Sequence, residues 1–264
     1  MSCYRNNIAT LAGLTAALLL FPGAKSGCGS EESRSTWQSP VQAVATLLES
    51  SDGTVAAELV LISTARATHS FVDTAENVEL RVPGGSIVNL DPDGSGHYSA
   101  TSTDDPNLVY QAGERYRLTF NLTDEELVGD SADRDFRALA DAPGDEVTFS
   151  FSHAPEFAGD LAELSWTPAS LYALVTVEDA DGELVWQNFY FETPQFEGDK
   201  WARLRRGGSM DLQDVFTEAG DYSATLCAVE RVSDFDTMLS ADLGVLSGFL
   251  IGRCAAPQQI TVPE

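Results

Sequence analysis

Apolar side chains recur at every second position through much of this chain, and turn-forming residues separate the runs. Val78, Leu80 and Val82 alternate with Glu79 and Arg81, and Pro83-Gly84-Gly85 then turns the chain. Tyr116, Leu118 and Phe120 alternate with Arg115, Arg117 and Thr119; Val147, Phe149 and Phe151 alternate with Thr148 and Ser150. A period of two gives a strand one apolar face and one wet face. Short runs rich in Val, Thr, Phe and Tyr, closed by Gly, Pro, Asn and Asp, predict an all-β chain of sandwiches and argue against α/β. Helix is predicted only in patches. Residues 131–140 (SADRDFRALA) offer Ser131 as an N-cap and a stop before Pro143, and Thr123 with Glu126 makes a capping box. Residues 41–49 fit a helix or a first strand, and the strand is preferred.

The 264 residues suit one or two domains at about 100–150 residues each. The clearest break is Ala154-Pro155-Glu156-Phe157-Ala158-Gly159-Asp160. It divides the chain into two tandem β-sandwich modules, residues 42–157 and 158–264. In the first, Ala75 to Leu80, Gly96-His97-Tyr98 and Ala112-Gly113-Glu114-Arg115-Tyr116 lead into strands, twice by a glycine before an aromatic. These residues resemble transthyretin-like or immunoglobulin-like bacterial modules. In the second, Trp166 is expected to be buried on an early strand, and Asp179-Ala180-Asp181-Gly182 is a hairpin signal between two apolar runs. Glu218-Ala219-Gly220-Asp221-Tyr222 to Cys227 resembles the tyrosine-corner strand of immunoglobulin-like, fibronectin type III-like or PKD-like folds.

The N-terminus is of another kind. Residues 1–7 carry Arg5 and no acid, residues 8–21 (IATLAGLTAALLLF) are apolar, and Pro22-Gly23 ends the run. That is the layout of a secretory signal over residues 1–27. A permanent membrane helix needs about 20 apolar residues. Ser26-Gly27-Cys28 resembles the lipobox of bacterial lipoproteins, with Lys25 standing where that family usually has an aliphatic residue. The resemblance implies a diacylglycerol on Cys28, cleavage before it and palmitate-like acyl chains on the new amine, so that the partner is a bilayer. Gly29 in place of aspartate implies outer-membrane sorting. The other reading is an ordinary signal cut near Ala24 or Gly27, leaving a soluble secreted protein. Residues 28–41 read as a flexible tether.

Charge and cysteines agree with export. Cleavage after Gly27 removes Arg5 and Lys25, leaving 41 acids against 13 bases. Such a surface repels nucleic acid and anionic lipid. Of four cysteines, Cys3 leaves with the signal and Cys28 takes the lipid, so Cys227 and Cys254 remain. They lie on runs that look like neighbouring strands. Five residues separate Tyr222 from Cys227, so the two point to opposite faces, and a strand-to-strand bridge between Cys227 and Cys254 is expected in place of an inter-sheet one. Two buried free thiols are the alternative.

Signals for catalysis are missing: there is no G-x-S-x-G, H-E-x-x-H, C-x-x-C, Walker A or G-x-G-x-x-G. No cofactor or metal is implied. His69, His97 and His153 are far apart and are read as surface residues. Asp91-Pro92-Asp93-Gly94-Ser95-Gly96 resembles the start of an oxygen-rich calcium loop but lacks its closing glutamate; it and Asp179/Asp181 read first as turns. One dense basic run, Lys200 to Arg206, would place Trp201, Arg203 and Arg205 on one strand face. An indole beside guanidiniums suits a sugar, an anion, an acidic partner or the protein's own carboxylates. The expectation is therefore a non-catalytic envelope lipoprotein that binds or scaffolds, with an envelope protein or polysaccharide as partner. A structural envelope subunit and a carboxylate-dependent hydrolase are the alternatives.

Overall fold

Alternation becomes strands throughout. The computed structural model describes residues 41–63, 70–122, 135–189, 204–232, 235–237 and 248–263, and no described residue is helical. Residues 1–40, with Cys28, lie outside the described residues, as do His69, Thr123, Glu126, Trp201 and Arg203. The strands in the first part of the chain are β1 (Val41–Glu49), β2 (Val55–Ser63), β3 (Ser70–Phe71), β4 (Ala75–Arg81), β5 (Ile87–Asn89), β6 (Asp91–Pro92), β7 (His97–Thr101), β8 (Arg115–Leu122) and β9 (Asp135–Asp141). There follow β10 (Thr148–His153), β11 (Ala162–Thr167), β12 (Tyr172–Asp179), β13 (Leu184–Gln187), β14 (Ser209–Leu212), β15 (Gly220–Val232), β16 (Phe235–Thr237), β17 (Gly248–Cys254) and β18 (Gln258–Val262).

Three sheets form. The large one has ten strands in the order β13-β12-β15-β17-β1-β2-β7-β6, with β18 beside β15 and β3 beside β2. The others are β16-β9-β8-β4-β5 and β10-β11-β14. Two cores lie between them. In the first, Ala43, Leu47, Leu59, Leu61, Tyr98, Phe249 and Ile251 of the large sheet meet Leu80, Val88, Tyr116, Phe120 and Phe136 of the five-stranded sheet. In the second, Val175, Tyr222, Leu226 and Ile260 of the large sheet meet Phe149, Leu164, Trp166 and Leu212 of the three-stranded one. Both are β-sandwiches, and they share one wall. Each fully buried Leu or Phe side chain contributes roughly 1.5–3 kcal/mol.

Strand β15 makes the shared wall continuous. One edge of it pairs first with β18, over Gly220 to Ala224, and then with β17, over Cys227 to Val232. Along the inner face, Tyr222, Ala224, Leu226 and Ala228 fill the second core, and Val232 packs against the first. Strand β17 then pairs in parallel with β1, from Val44↔Gly248 to Glu49↔Arg253. Gly252 is needed there, because a Cβ would stand 2.1 Å from the Ala228 carbonyl oxygen. The ranges 42–157 and 158–264 therefore exchange strands: Val147 and Phe149 pack in the second core, while Phe249 and Ile251 pack in the first.

Two local expectations have clear outcomes. Of the helix expected at 131–140, residues 131–134 with Ser131 lie outside the described residues, and the rest is overturned by β9, because Phe136, Ala138 and Ala140 are buried at alternate positions and pair with β8. Tertiary pairing overrides the helix preference of Arg-Ala-Leu-Ala. Residues 41–49 are a strand, and Val41 already belongs to it.

Candidate functional site

The basic run after residue 199 enters the described structure at Leu204. Leu204 is buried in a small cluster on the outer face of the large sheet, with Val44, Leu174, Phe189, Cys227, Val229 and Leu250. The Arg205 carbonyl accepts the Ala173 N–H at 3.0 Å, so Arg205 lies antiparallel beside the start of β12. The next residue is clasped on three sides. The Arg206 guanidinium lies 4.7 Å from the centre of the Tyr172 ring, Nε donates to the Ser170 carbonyl, and Nη2 stands 3.4 Å from a Glu230 oxygen. Stacking of this kind contributes about 0.5–1 kcal/mol at an exposed site, and the solvated ion pair adds little. Arg231 lies on the same outer face as Val229, the register partner of Tyr172, and burial lowers its pKa. Of the expected patch, Arg205 is thus exposed beside β12, while Trp201 and Arg203 lie outside the described residues. Tyr172 and Glu230 were not marked by any sequence signal, since only the register of β12 on β15 brings them to Arg206.

Cys227 and Cys254 are directly opposite on β15 and β17 and form the disulfide. Cys227 belongs to the outer-face cluster and Tyr222 to the second core, so the two do point to opposite faces. The Tyr222 hydroxyl donates to the Glu218 carbonyl at 2.9 Å, which is the contact of a tyrosine corner. Tyr116 does the same in the first sandwich, donating to the Val109 carbonyl at 2.7 Å.

The acidic loops use their carboxylates internally. Asp93 accepts from the Ser95 hydroxyl at 2.7 Å and the Ser95 N–H at 2.7 Å, and these bonds hold it below the usual carboxylate range. Asp179 accepts the N–H groups of Asp181 and Glu183 at 3.0 and 2.9 Å. Both are Asx-type turns. Asp160 likewise accepts from Glu156 N–H, then Leu161 N–H, with His153 Nε2 at 3.7 Å, and its pKa is lowered, chiefly by the Glu156 N–H. Among the described residues no three His, Cys, Asp or Glu side chains are grouped to hold a metal ion.

No family model matches the chain, and no curated protein does. Solved structures similar to it include the following three. A mutant of Salmonella alpha-2-macroglobulin is 13% identical over 84% of this chain and 15% of its own, with a TM-score of 0.25. Dimeric latent PorU from Porphyromonas gingivalis is 12% identical over 81% of this chain and 20% of its own, at 0.24. The Escherichia coli adhesin FdeC is 11% identical over 83% of this chain and 65% of its own, at 0.21. The chain therefore spans less than two thirds of each. Likeness at these TM-scores carries nothing further about this chain. Among the described residues no helix is long and apolar enough to cross a membrane.

Proposed function

We propose that this chain is a non-catalytic lipoprotein of the bacterial cell envelope, tethered through acyl chains on Cys28 and acting as a binding or scaffolding module. The Cys227–Cys254 bridge carries the reading. Disulfides persist in oxidising compartments, which agrees with the export signal. The bridge also occupies both cysteines beyond residue 28 and leaves Cys28 as the thiol available downstream of the apolar run. Lipidation adds membrane affinity in proportion to the CH₂ groups buried. The tether would set the two fused sandwiches off from the bilayer, which suits an acidic surface that anionic lipid repels. A second reading, a structural subunit of an envelope assembly, draws on the single sheet that both sandwiches share.

Metabolic labelling with palmitate, followed by fractionation, tests the proposal. The wild-type chain is expected to be labelled and to sediment with membranes, and Cys28→Ala to be unlabelled and released. A cleaved, unlabelled wild-type chain in the soluble extracytoplasmic fraction would favour plain secretion. An intact leader on cytoplasmic protein would overturn export altogether.

A further inference from the structure

The outer face of the five-stranded sheet holds an arrangement that the fold does not use. Strand β4 turns Leu80 inward and Glu79 and Arg81 outward; β8 turns Tyr116 and Leu118 inward and Arg115 and Arg117 outward. The register sets Arg81 directly opposite Arg117, Ile87 on β5 opposite Arg81, and Leu139 on β9 opposite Arg117. Across four strands the row reads Ile87, Arg81, Arg117, Leu139. Ile87 and Leu139 are 41% and 40% exposed. Arg81 is exposed and Arg117 half-buried, with a buried Nε that has no hydrogen-bond partner among the described residues.

Three other described arginines of this acidic chain meet acids. Arg115 forks onto Asp141 at 2.7 and 3.0 Å, Arg206 meets Glu230, and Arg253 meets Glu49. No ion pair joins Arg81 or Arg117 to a described carboxylate, although Glu79 lies two residues from Arg81 on the same face. Like charges directly opposite on a sheet are destabilising. A pair of this kind, between two exposed aliphatic side chains in a chain with 41 acids, is a poor choice for stability alone.

We infer that this row is a docking strip for an extended, acidic protein segment of the pattern aliphatic-x-acid-x-aliphatic. The spacing supports it. Neighbouring strands lie about 4.8 Å apart, so Ile87 and Leu139 each stand about 7 Å from the midpoint of the arginine pair. In an extended peptide, residues two apart are separated by about 6.6–6.8 Å and project to the same side. One carboxylate between the guanidiniums then places its i−2 and i+2 neighbours over Ile87 and Leu139. Arginine's fork favours carboxylate in such a contact. A polysaccharide is the poorer fit because the row has no aromatic ring to stack on a sugar. A second copy of this chain would bring all of its own net charge of −26 against the same charge here, whereas a short segment brings the one carboxylate that the arginine pair takes. The inference rests on the reading of the chain as a binding module and assigns that reading a surface.

Fluorescence anisotropy with a labelled GSLTETVSG peptide and the full chain, at physiological salt, tests the strip. Arg81→Glu combined with Arg117→Gln is expected to weaken binding tenfold or more, Ile87→Ser with Leu139→Ser several-fold, and the peptide with Gln for Glu to lose binding. No binding by the wild type, or equal binding by the arginine variant, overturns the inference. So does preference for polygalacturonate, or a wild-type dimer that the arginine variant abolishes. Thermal melting separates a structural role: Arg81→Gln is expected to leave Tm unchanged or raised, and a fall of several degrees overturns the strip. Failure of lipidation at Cys28 would leave every one of these outcomes as it stands.

Discussion

The two sandwiches are completed in different ways. The second draws its whole core from residues 147–262, with its strands close along the chain. The first has most of its core between Val41 and Ala142, yet it also needs Phe249 and Ile251 from β17. That strand reaches it only after the chain has passed through β10 to β15 of the second sandwich. The clamp at the junction is local chemistry of the same kind as elsewhere: Glu49 and Arg253 are register partners and pair, and the Arg253 guanidinium lies 4.8 Å from the centre of the Tyr110 ring. A core closed by a distant strand cannot form before that strand arrives, and long-range pairing of this kind slows folding. The shared wall also implies that loosening one core reaches the other, so the two should unfold in one transition.

Removal of the borrowed strand has the largest expected effect. A fragment ending at residue 157 lacks Phe249, Ile251 and the parallel partner of β1. It is expected to show no cooperative urea transition and no near-UV circular dichroism; a folded fragment would show that the first sandwich is self-sufficient. Truncation inside each core comes next. Phe249→Ala and Trp166→Ala are each expected to cost about 3–5 kcal/mol, read by urea denaturation. Both should move the same single transition. If Trp166→Ala shifts only one of two resolved transitions, the cores are independent and the comparison fails.

The disulfide lies where β15 passes from one core to the other. Replacing Cys227 and Cys254 with serine is expected to cost about 3 kcal/mol, through the unfolded state, and to lower Tm while leaving strand content by far-UV circular dichroism unchanged. The smallest effect is electrostatic and belongs to the first sandwich alone. Hydrogen bonding from Arg115 holds the Asp141 carboxyl below its ordinary range. A depressed carboxyl contributes stability that is present above the unfolded value of about 3.9 and is lost as pH falls through the folded value. The pair is 66% and 57% exposed, so solvent screening keeps its contribution small. Asp141→Asn should remove that slice of the acid dependence and leave the rest; an unchanged pH profile would count against the pair.

Much of this was readable residue by residue. The inward positions of β4, β8 and β10 are the alternating apolar ones, and Tyr222 and Cys227 face apart as a spacing of five requires. The helix expected at 131–140 failed over residues 135–140 because Arg, Ala and Leu favour helix in isolation, while pairing with β8 rewards the period of two in Phe136, Ala138 and Ala140. The outward arginines at 81 and 117 were also visible as outward. That they oppose each other was not, since nothing in a single strand states its register. The same holds for Arg206, which finds Tyr172 and Glu230 only through the pairing of β12 with β15.

By itself the sequence determined the apolar face of the alternating strands, the turns that follow them and the opposite facing of Tyr222 and Cys227. These are properties of dihedral preference and local pattern, and they act over a few residues at a time. Tertiary structure alone decided that β17 runs parallel to β1, that one sheet serves two cores, and which outward charges become neighbours. Strand pairing joins backbone groups that every residue carries. Its choice of partner is therefore settled by the packing of whole faces, not by any motif within one of them.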